Sequence, residues 1–182
     1  MAPVPNAGAT TVIARRFLLR EFSMALIPVV ALVAVLFLGN LTYLDYVHVL
    51  SGGTWTGIDL FLGLVLSRVI RSLAVPQRAE IARRLTPRTM FLMPALAATA
   101  VTSGVYVAIT EKRFDLSNPW ILAAGVVVIV LIVQGLGMLL PNNVRILLEF
   151  QRDKPNVEKI VRLNRRNLRI AGSQAIFQLA LI

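Results

Sequence analysis

The chain has 182 residues, of which 57% are hydrophobic and 15% are charged, and its mean hydropathy is +0.73. A soluble domain carries about a quarter charged residues, so we expect this much apolar surface to lie in lipid. The chain has no cysteine and one histidine, which excludes disulfides, cysteine nucleophiles and multi-histidine metal centres within one chain. Phosphate-binding loops, dinucleotide fingerprints and the HExxH and GxSxG motifs are absent. We therefore predict that the protein is not an enzyme.

The N-terminal region combines turn-forming residues, a basic segment and the first apolar run. We predict that residues 1–22 form a cytoplasmic tail that carries Arg15, Arg16 and Arg20, and that its first ten or so residues are loose. The run that follows predicts a first span over about residues 24–44, because about 20 helical residues cross a bilayer core of about 30 Å. No small-x-small cleavage site follows this run, so we expect an uncleaved helix.

Four further apolar runs predict the rest of a transmembrane bundle. The predicted spans cover about residues 46–70, 89–109, 119–140 and 170–182. Pro119 suits the first turn of the fourth span, and Pro141 is expected to end it. The last run is too short to cross about 30 Å, so we expect a truncated chain. The predicted fold is all-α, a polytopic bundle with four complete spans and a fifth cut short.

Positive charges orient the predicted bundle. They are concentrated in the tail and in two basic loops, residues 71–88 and 141–169. Of the 19 Lys and Arg residues, all but Lys112 and Arg113 fall on one side. Positively charged loops stay in the cytoplasm, so we expect a cytoplasmic N-terminus and odd-numbered spans that run outward. The predicted location is the bacterial cytoplasmic (inner) membrane.

The two basic loops predict amphipathic segments at the level of the lipid headgroups. Pro76 and Pro87 are expected to begin and end the first of them. Candidate contacts with anionic headgroups on the cytoplasmic side are Arg83, Arg84, Arg162, Arg165 and Arg166. Ordinary positive-inside loops explain the same charges without a specific lipid site or partner. The net charge of +10 would suggest nucleic acid in a soluble chain, but its placement predicts a membrane partner and no nucleic acid.

One face of the second predicted span carries most of its polar and aromatic groups. A projection at about 100° per residue places four residues on this face: His48, Gly52, Trp55 and Asp59. Asp59 lies about 16 Å deeper along the helix axis than His48. The two side chains therefore cannot bind the same metal ion.

The roles of these side chains stay open at this point. A carboxylate in the bilayer costs a few kcal/mol unless it is paired, protonated or hydrated. Asp59 either handles a proton or cation or makes a structural hydrogen bond, with candidate partners Thr99, Thr102, Ser103, Tyr106 and Gln134. His48 either makes a capping or loop contact or ligates haem or copper, which makes it the one candidate metal ligand. Trp55 either packs or lines a path for a ligand or ion.

The opposite face of the same span carries two glycines. Gly53 and Gly57 form a GxxxG pattern, which is typical of closely packed transmembrane helices. We therefore expect neighbouring helices on both sides of the second span.

Two stretches of the sequence resemble known membrane proteins. The residues His48, Gly52, Trp55 and Gly57, followed by a basic loop and by Met90-Phe91-Leu92-Met93-Pro94, are similar to the copper-resistance D-like group. Together with Pro141-Asn142-Asn143 and residues 160–169, they more closely resemble an uncharacterised family of small predicted integral membrane proteins allied to that group. The resemblance covers about residues 46–182. It implies a helical membrane architecture, and for the copper-resistance D proteins it implies copper movement across the inner membrane.

Three functions are compatible with these features. The first is a non-catalytic subunit or accessory component of a membrane complex, packed against other membrane subunits or a second copy of itself. The second is a transporter of copper or another small cation that uses His48 and Asp59. The third is a haem-b electron-transfer anchor, which needs a second imidazole from a dimer or partner. No cofactor is assigned by the sequence alone.

Overall fold

A computed structural model describes the backbone of residues 7–181 and the side chains of residues 22–181. The described residues form helices and no strands. We number the helices α1 (Ala7–Leu38), α2 (Leu41–Ser72), α3 (Val75–Thr110), α4 (Pro119–Phe150) and α5 (Val157–Leu179). Helices α2, α3 and α4 are long and apolar enough to cross a membrane, and α1 contributes a shorter apolar stretch, Phe22–Leu38. The chain is thus an all-helical, membrane-embedded protein, as predicted.

The N-terminal half of α1 differs from the predicted tail. The helix begins at Ala7, so residues 7–10 are helical rather than loose. Residues 1–6 lie outside the described residues, and so do the side chains of Arg15, Arg16 and Arg20.

A two-residue turn separates α1 from α2. Gly39 has a φ of +62°, a left-handed conformation that glycine adopts without the steric cost of a side chain. Asn40 then caps α2, and its side-chain oxygen accepts a hydrogen bond of 3.3 Å from the Tyr43 backbone N–H. The two helices therefore meet at residues 39–40, and the predicted boundary near residues 44–46 is wrong.

The prolines begin helices as predicted but do not end them. Pro76 and Pro119 lie in the first turns of α3 and α4. Pro87 lies inside α3, and α4 continues through Pro141 to Phe150. Pro141 directly follows a π-helical segment of α4, at the start of a new α-helical segment, where its missing N–H is tolerated.

The first turns of α3 lie against α4 and α5. Ala79 and Ala82 of α3 pack with Ile146 of α4 and Ile160 of α5 in one buried cluster. This packing holds the segment before Pro87 in line with the rest of α3, because tertiary contacts override the helix-breaking tendency of proline. The predicted basic loops, residues 71–88 and 141–169, are therefore mostly helical extensions of α3, α4 and α5.

Helix α5 is packed between α2, α3 and α4. It runs antiparallel to α2, since Gly63 of α2 contacts Gly172 of α5 and Asp59 of α2 contacts Gln178. Its buried face combines apolar residues with three amides: Ile160, Asn164, Leu168, Ala171, Gln174, Ala175 and Gln178. The predicted fifth span, residues 170–182, thus does not begin a new helix. In the structure it belongs to the same helix, α5, as the basic segment before it.

Two π-helical segments lie where α2 and α4 face α5. They are Phe61–Leu66 in α2 and Val133–Leu139 in α4. A Cβ atom added to Gly63 would overlap the backbone of Gly172, so no side chain separates α2 from α5 at this level. Widened turns of this kind are frequent at functional sites.

The GxxxG face of α2 is open in the described chain. A Cβ atom added to Gly53 or Gly57 would meet no other atom within 4 Å. No helix of the described residues makes the predicted close approach at these two glycines, so helix packing there stays a prediction. The close approach occurs instead one to two turns further along α2, at Gly63.

We expect Gly63→Ala to destabilise the protein, because the added methyl group forces the backbones of α2 and α5 apart. Overpacking of this kind costs about 1–3 kcal/mol. The measurement is unfolding by denaturing detergent in mixed micelles, followed by circular dichroism. Gly57→Ala is the matched control, since its methyl group enters open space and should change stability by less than about 0.5 kcal/mol. Equal stability of the two variants would contradict the close approach at Gly63.

Candidate intramembrane binding site

The described helices line a partly open cavity of about 410 Å³ between α2, α3, α4 and α5. It follows α3 from Leu85 to Thr102, a distance of about 25 Å at the rise of an α-helix. Most of its wall is apolar, with contributions from residues such as Met90, Met93, Ala97, Leu136 and Leu168. Cavities of this size that are mostly apolar and carry a few polar groups are typical small-molecule sites.

Asp59 is the acidic group of this cavity. Its side chain is 0% exposed, and the Nε2–H of Gln178 on α5 donates a hydrogen bond of 2.9 Å to its Oδ2. Its other oxygen, Oδ1, has no hydrogen-bond partner among the described residues, and neither does Oε1 of Gln178. Because buried polar atoms are normally paired, the carboxylate retains one unused acceptor.

The surroundings of Asp59 hold no counter-charge. Among the described residues that line the cavity, none is Lys, Arg or His, and Asp59 is the one ionisable group. Trp55 lies one turn earlier on α2, lines the same cavity and turns its indole N–H towards the carboxyl group. An ionised carboxylate in such surroundings is costly unless a cation or a proton reaches it. The ionised form of Asp59 therefore calls for a positive charge that the described lining residues do not supply, and a proton is the alternative.

Amide side chains form the end of the cavity nearest the basic segments. Asn143, Asn164 and Asn167 line this end together with Thr86 and Thr89. Two hydrogen bonds tie α4 to α5 at this end: Asn142 Nδ2–H donates to Asn167 Oδ1 at 3.0 Å, and Asn167 Nδ2–H donates to Asn143 Oδ1 at 2.7 Å. The cavity thus has a polar end and, at mid-depth, a single acidic group.

A second groove, of about 610 Å³, lies between α1, α2 and α3. Its described lining is mainly apolar and includes Arg88 and the hydroxyl groups of Ser51, Thr54 and Thr99. No carboxylate lines it among the described residues. The cavity at Asp59 is therefore the stronger candidate for a specific site.

His48 lies outside the cavity and has a structural contact. Its Nδ1 is 2.9 Å from the carbonyl oxygen of Ala100 on α3. A carbonyl can only accept, so this nitrogen carries the hydrogen and donates. The imidazole also fills the space over Gly104, where an added Cβ atom would lie 2.6 Å from the ring. The structure thus brings Trp55 and Asp59 together and places His48 in a separate contact between α2 and α3.

The hydrogen-bond partner of Asp59 is one that sequence analysis missed. None of the five candidates on the third and fourth spans bonds to it through a side chain; the partner is Gln178. Ser103 donates to the Thr99 carbonyl at 2.6 Å, and Gln134 donates to Ser173 at 3.4 Å. The sequence feature that could have indicated this partner is the spacing of Gln174 and Gln178, which places two amides on one face of the last apolar run.

The candidate headgroup contacts lie on the surface of the basic segments. Arg83 and Arg84 both pair with Glu80, at 2.8 Å and 2.6 Å. Arg162, Arg165 and Arg166 are exposed on α5. Contact of these residues with lipid headgroups stays a prediction.

No family model, curated protein or solved structure matches this chain. The resemblance to copper-resistance D-like proteins and their small relatives therefore stays a prediction. The described residues contain no group of three or more His, Cys, Asp or Glu side chains that could hold a metal ion.

We expect the imidazole of His48 to be the Nδ1–H tautomer, because Ala100 accepts from that nitrogen. The chain has one histidine, so ¹⁵N NMR of protein labelled at histidine reports this side chain alone. The expected spectrum shows a protonated Nδ1 and an unprotonated Nε2 at neutral pH. In Gly104→Val the new side chain displaces the ring, and the tautomer preference should be lost. A dominant Nε2–H form in the unaltered protein would contradict the contact.

Proposed function

We propose that this protein is a non-catalytic component of the bacterial inner membrane that holds a lipophilic molecule inside its helix bundle. The observation that carries the proposal is the 410 Å³ cavity with the fully buried Asp59 in its wall. The apolar lining suits a hydrocarbon body, and the carboxylate and neighbouring amides suit one polar group of a ligand.

The outer surface of the chain supports a role beside other membrane proteins. Small residues on a transmembrane surface let a second helix approach closely, and Gly53 and Gly57 leave open space on α2. Only 6% of the most apolar window of α4 is buried within the described chain. A second copy or another membrane subunit on these surfaces would make the protein an accessory component of a larger complex.

Copper transport and haem anchoring stay alternative hypotheses without a specific geometric observation in their favour. A shared ion path needs His48 and Asp59 to face one passage, and His48 does not line the cavity at Asp59. Haem ligation needs His48 Nε2 together with a second imidazole from another copy or partner.

The proposed orientation places the basic end of the bundle in the cytoplasm. This end holds the connections α2–α3 and α4–α5, while the opposite end holds the turn at residues 39–40 and the connection of residues 111–118. The charge asymmetry supports this orientation.

Single cysteines test this orientation without further engineering, since the chain has none of its own. We expect Ser117→Cys, in the α3–α4 connection, to react with a membrane-impermeant maleimide in intact spheroplasts. Gln151→Cys, in the α4–α5 connection, should react only after the membrane is permeabilised. Both positions are exposed. The reverse pattern would overturn the orientation and leave the cavity unaffected.

We expect Ala97→Phe to remove the bound molecule, because the ring fills the cavity that Ala97 lines. The overpacking cost of about 1–3 kcal/mol lowers ligand occupancy by about tenfold or more. The measurement is native mass spectrometry of protein extracted from its own membrane in lipid nanodiscs.

Ala123→Phe is the matched control, since Ala123 is exposed on α4 and lies outside the cavity lining. It should keep the lipophilic adduct found on the unaltered protein. The same adducts on Ala97→Phe and on the unaltered protein, or no lipophilic adduct on either, would overturn the proposed function.

A further inference from the structure

We propose that the ligand of the cavity is a hydrophobic organic cation, an amine or quaternary ammonium with an apolar body, whose positive charge lies at Asp59 and Trp55. The inference rests on the proposed function and names the chemical class of its ligand.

The first argument is charge balance. Asp59 is fully buried, and the described residues that line the cavity include no Lys, Arg or His to neutralise it. Gln178 satisfies one carboxylate oxygen at 2.9 Å, and Oδ1 has no partner. Beside a neutral lipid the carboxyl group would have to take up a proton, whereas a cationic group compensates the ionised carboxylate and supplies the missing donor or contact.

The second argument is the identity of the neighbours. The indole N–H of Trp55 is turned towards the carboxyl group, and Trp55 lines the same cavity. Aromatic faces attract ammonium groups, and the attraction is larger when water is excluded. A carboxylate with an adjacent indole is therefore suited to an ammonium group. An anionic headgroup would be repelled by the same arrangement.

The third argument concerns the rest of the ligand. Met90, Met93 and Ala97 lie along the wall of the cavity on α3. Methionine side chains adapt to irregular apolar shapes, which suits a hydrocarbon body of variable form. A small inorganic cation requires several oxygen ligands, and at this level the described residues offer one carboxylate and the unpaired Oε1 of Gln178.

The experiment compares two probes of equal length that differ in charge, dodecylammonium and dodecanol. Binding is followed by the fluorescence of Trp55 in nanodiscs of zwitterionic phosphatidylcholine. The protein carries Trp120→Phe, since Trp55 and Trp120 are its two tryptophans and Trp120 is 82% exposed. We expect dodecylammonium to half-saturate the site at about tenfold lower concentration than dodecanol.

The variant Asp59→Asn removes the charge and keeps an oxygen that accepts from Gln178. We expect it to bind both probes at similar concentrations, so that the preference for the cation is lost. Equal binding of the two probes to the Asp59 protein would overturn the inference, and so would a preference that persists in Asp59→Asn. The first of these results does not depend on the folding of any Asp59 variant.

The variant Ala97→Phe separates this inference from the proposed function. If both probes bind equally well to the protein that keeps Asp59, and neither binds to Ala97→Phe, the lipophilic site is supported and the cationic ligand is wrong. Should neither probe bind even before Ala97 is replaced, both the site and the inference fall. Ala123→Phe, in the same tryptophan background, should behave as the unaltered protein.

Discussion

The contact between the backbones of α2 and α5 at Gly63 and Gly172 is the constraint on which the rest of the bundle depends. With no side chain between them, the two helices lie close enough for Gln178 to reach Asp59 across the interface. The same contact places Leu168 and Ala171 beside Leu62 in one buried cluster. The pair of glycines therefore fixes the position of α5 against α2 at one wall of the cavity, although neither glycine lines the cavity.

Polar groups in this bundle are concentrated rather than dispersed. Helix α5 buries three amides: Asn164 and Gln174 line the cavity, and Gln178 bonds to Asp59. Gln174 also donates to the carbonyl of Leu131 at 3.1 Å, which ties α5 to α4. Each such bond is favourable only because the alternative is an unpaired group in an apolar medium. The bond from Gln178 satisfies one oxygen of Asp59 and leaves Oδ1 as an acceptor for the proposed ligand.

The basic end of the bundle has a small core of its own. Glu149 is almost fully buried and is bonded by Lys159 at 2.6 Å, by the Asn156 backbone N–H at 3.2 Å and by Arg152 at 3.5 Å. These contacts join the end of α4 to the start of α5 across the short α4–α5 connection. Because α5 is continuous from Val157 to Leu179, they also help to set its position beside the cavity. A buried carboxylate with cationic partners at this end contrasts with Asp59, which has none among the described residues of its cavity.

Sequence alone determined the helical class, the membrane character and the stripe that holds Trp55 and Asp59, because these depend on composition and on helical periodicity within single segments. It also predicted the helix starts at Pro76 and Pro119, because proline is favoured in the first turn of a helix, where its missing N–H costs no hydrogen bond. The tertiary structure decided how the helices meet. The partner of Asp59 lies 119 residues away at Gln178, the close helix contact is at Gly63 rather than at Gly53 and Gly57, and His48 is separated from the cavity. Such pairings depend on which helix faces which, and no periodicity within one segment contains that information.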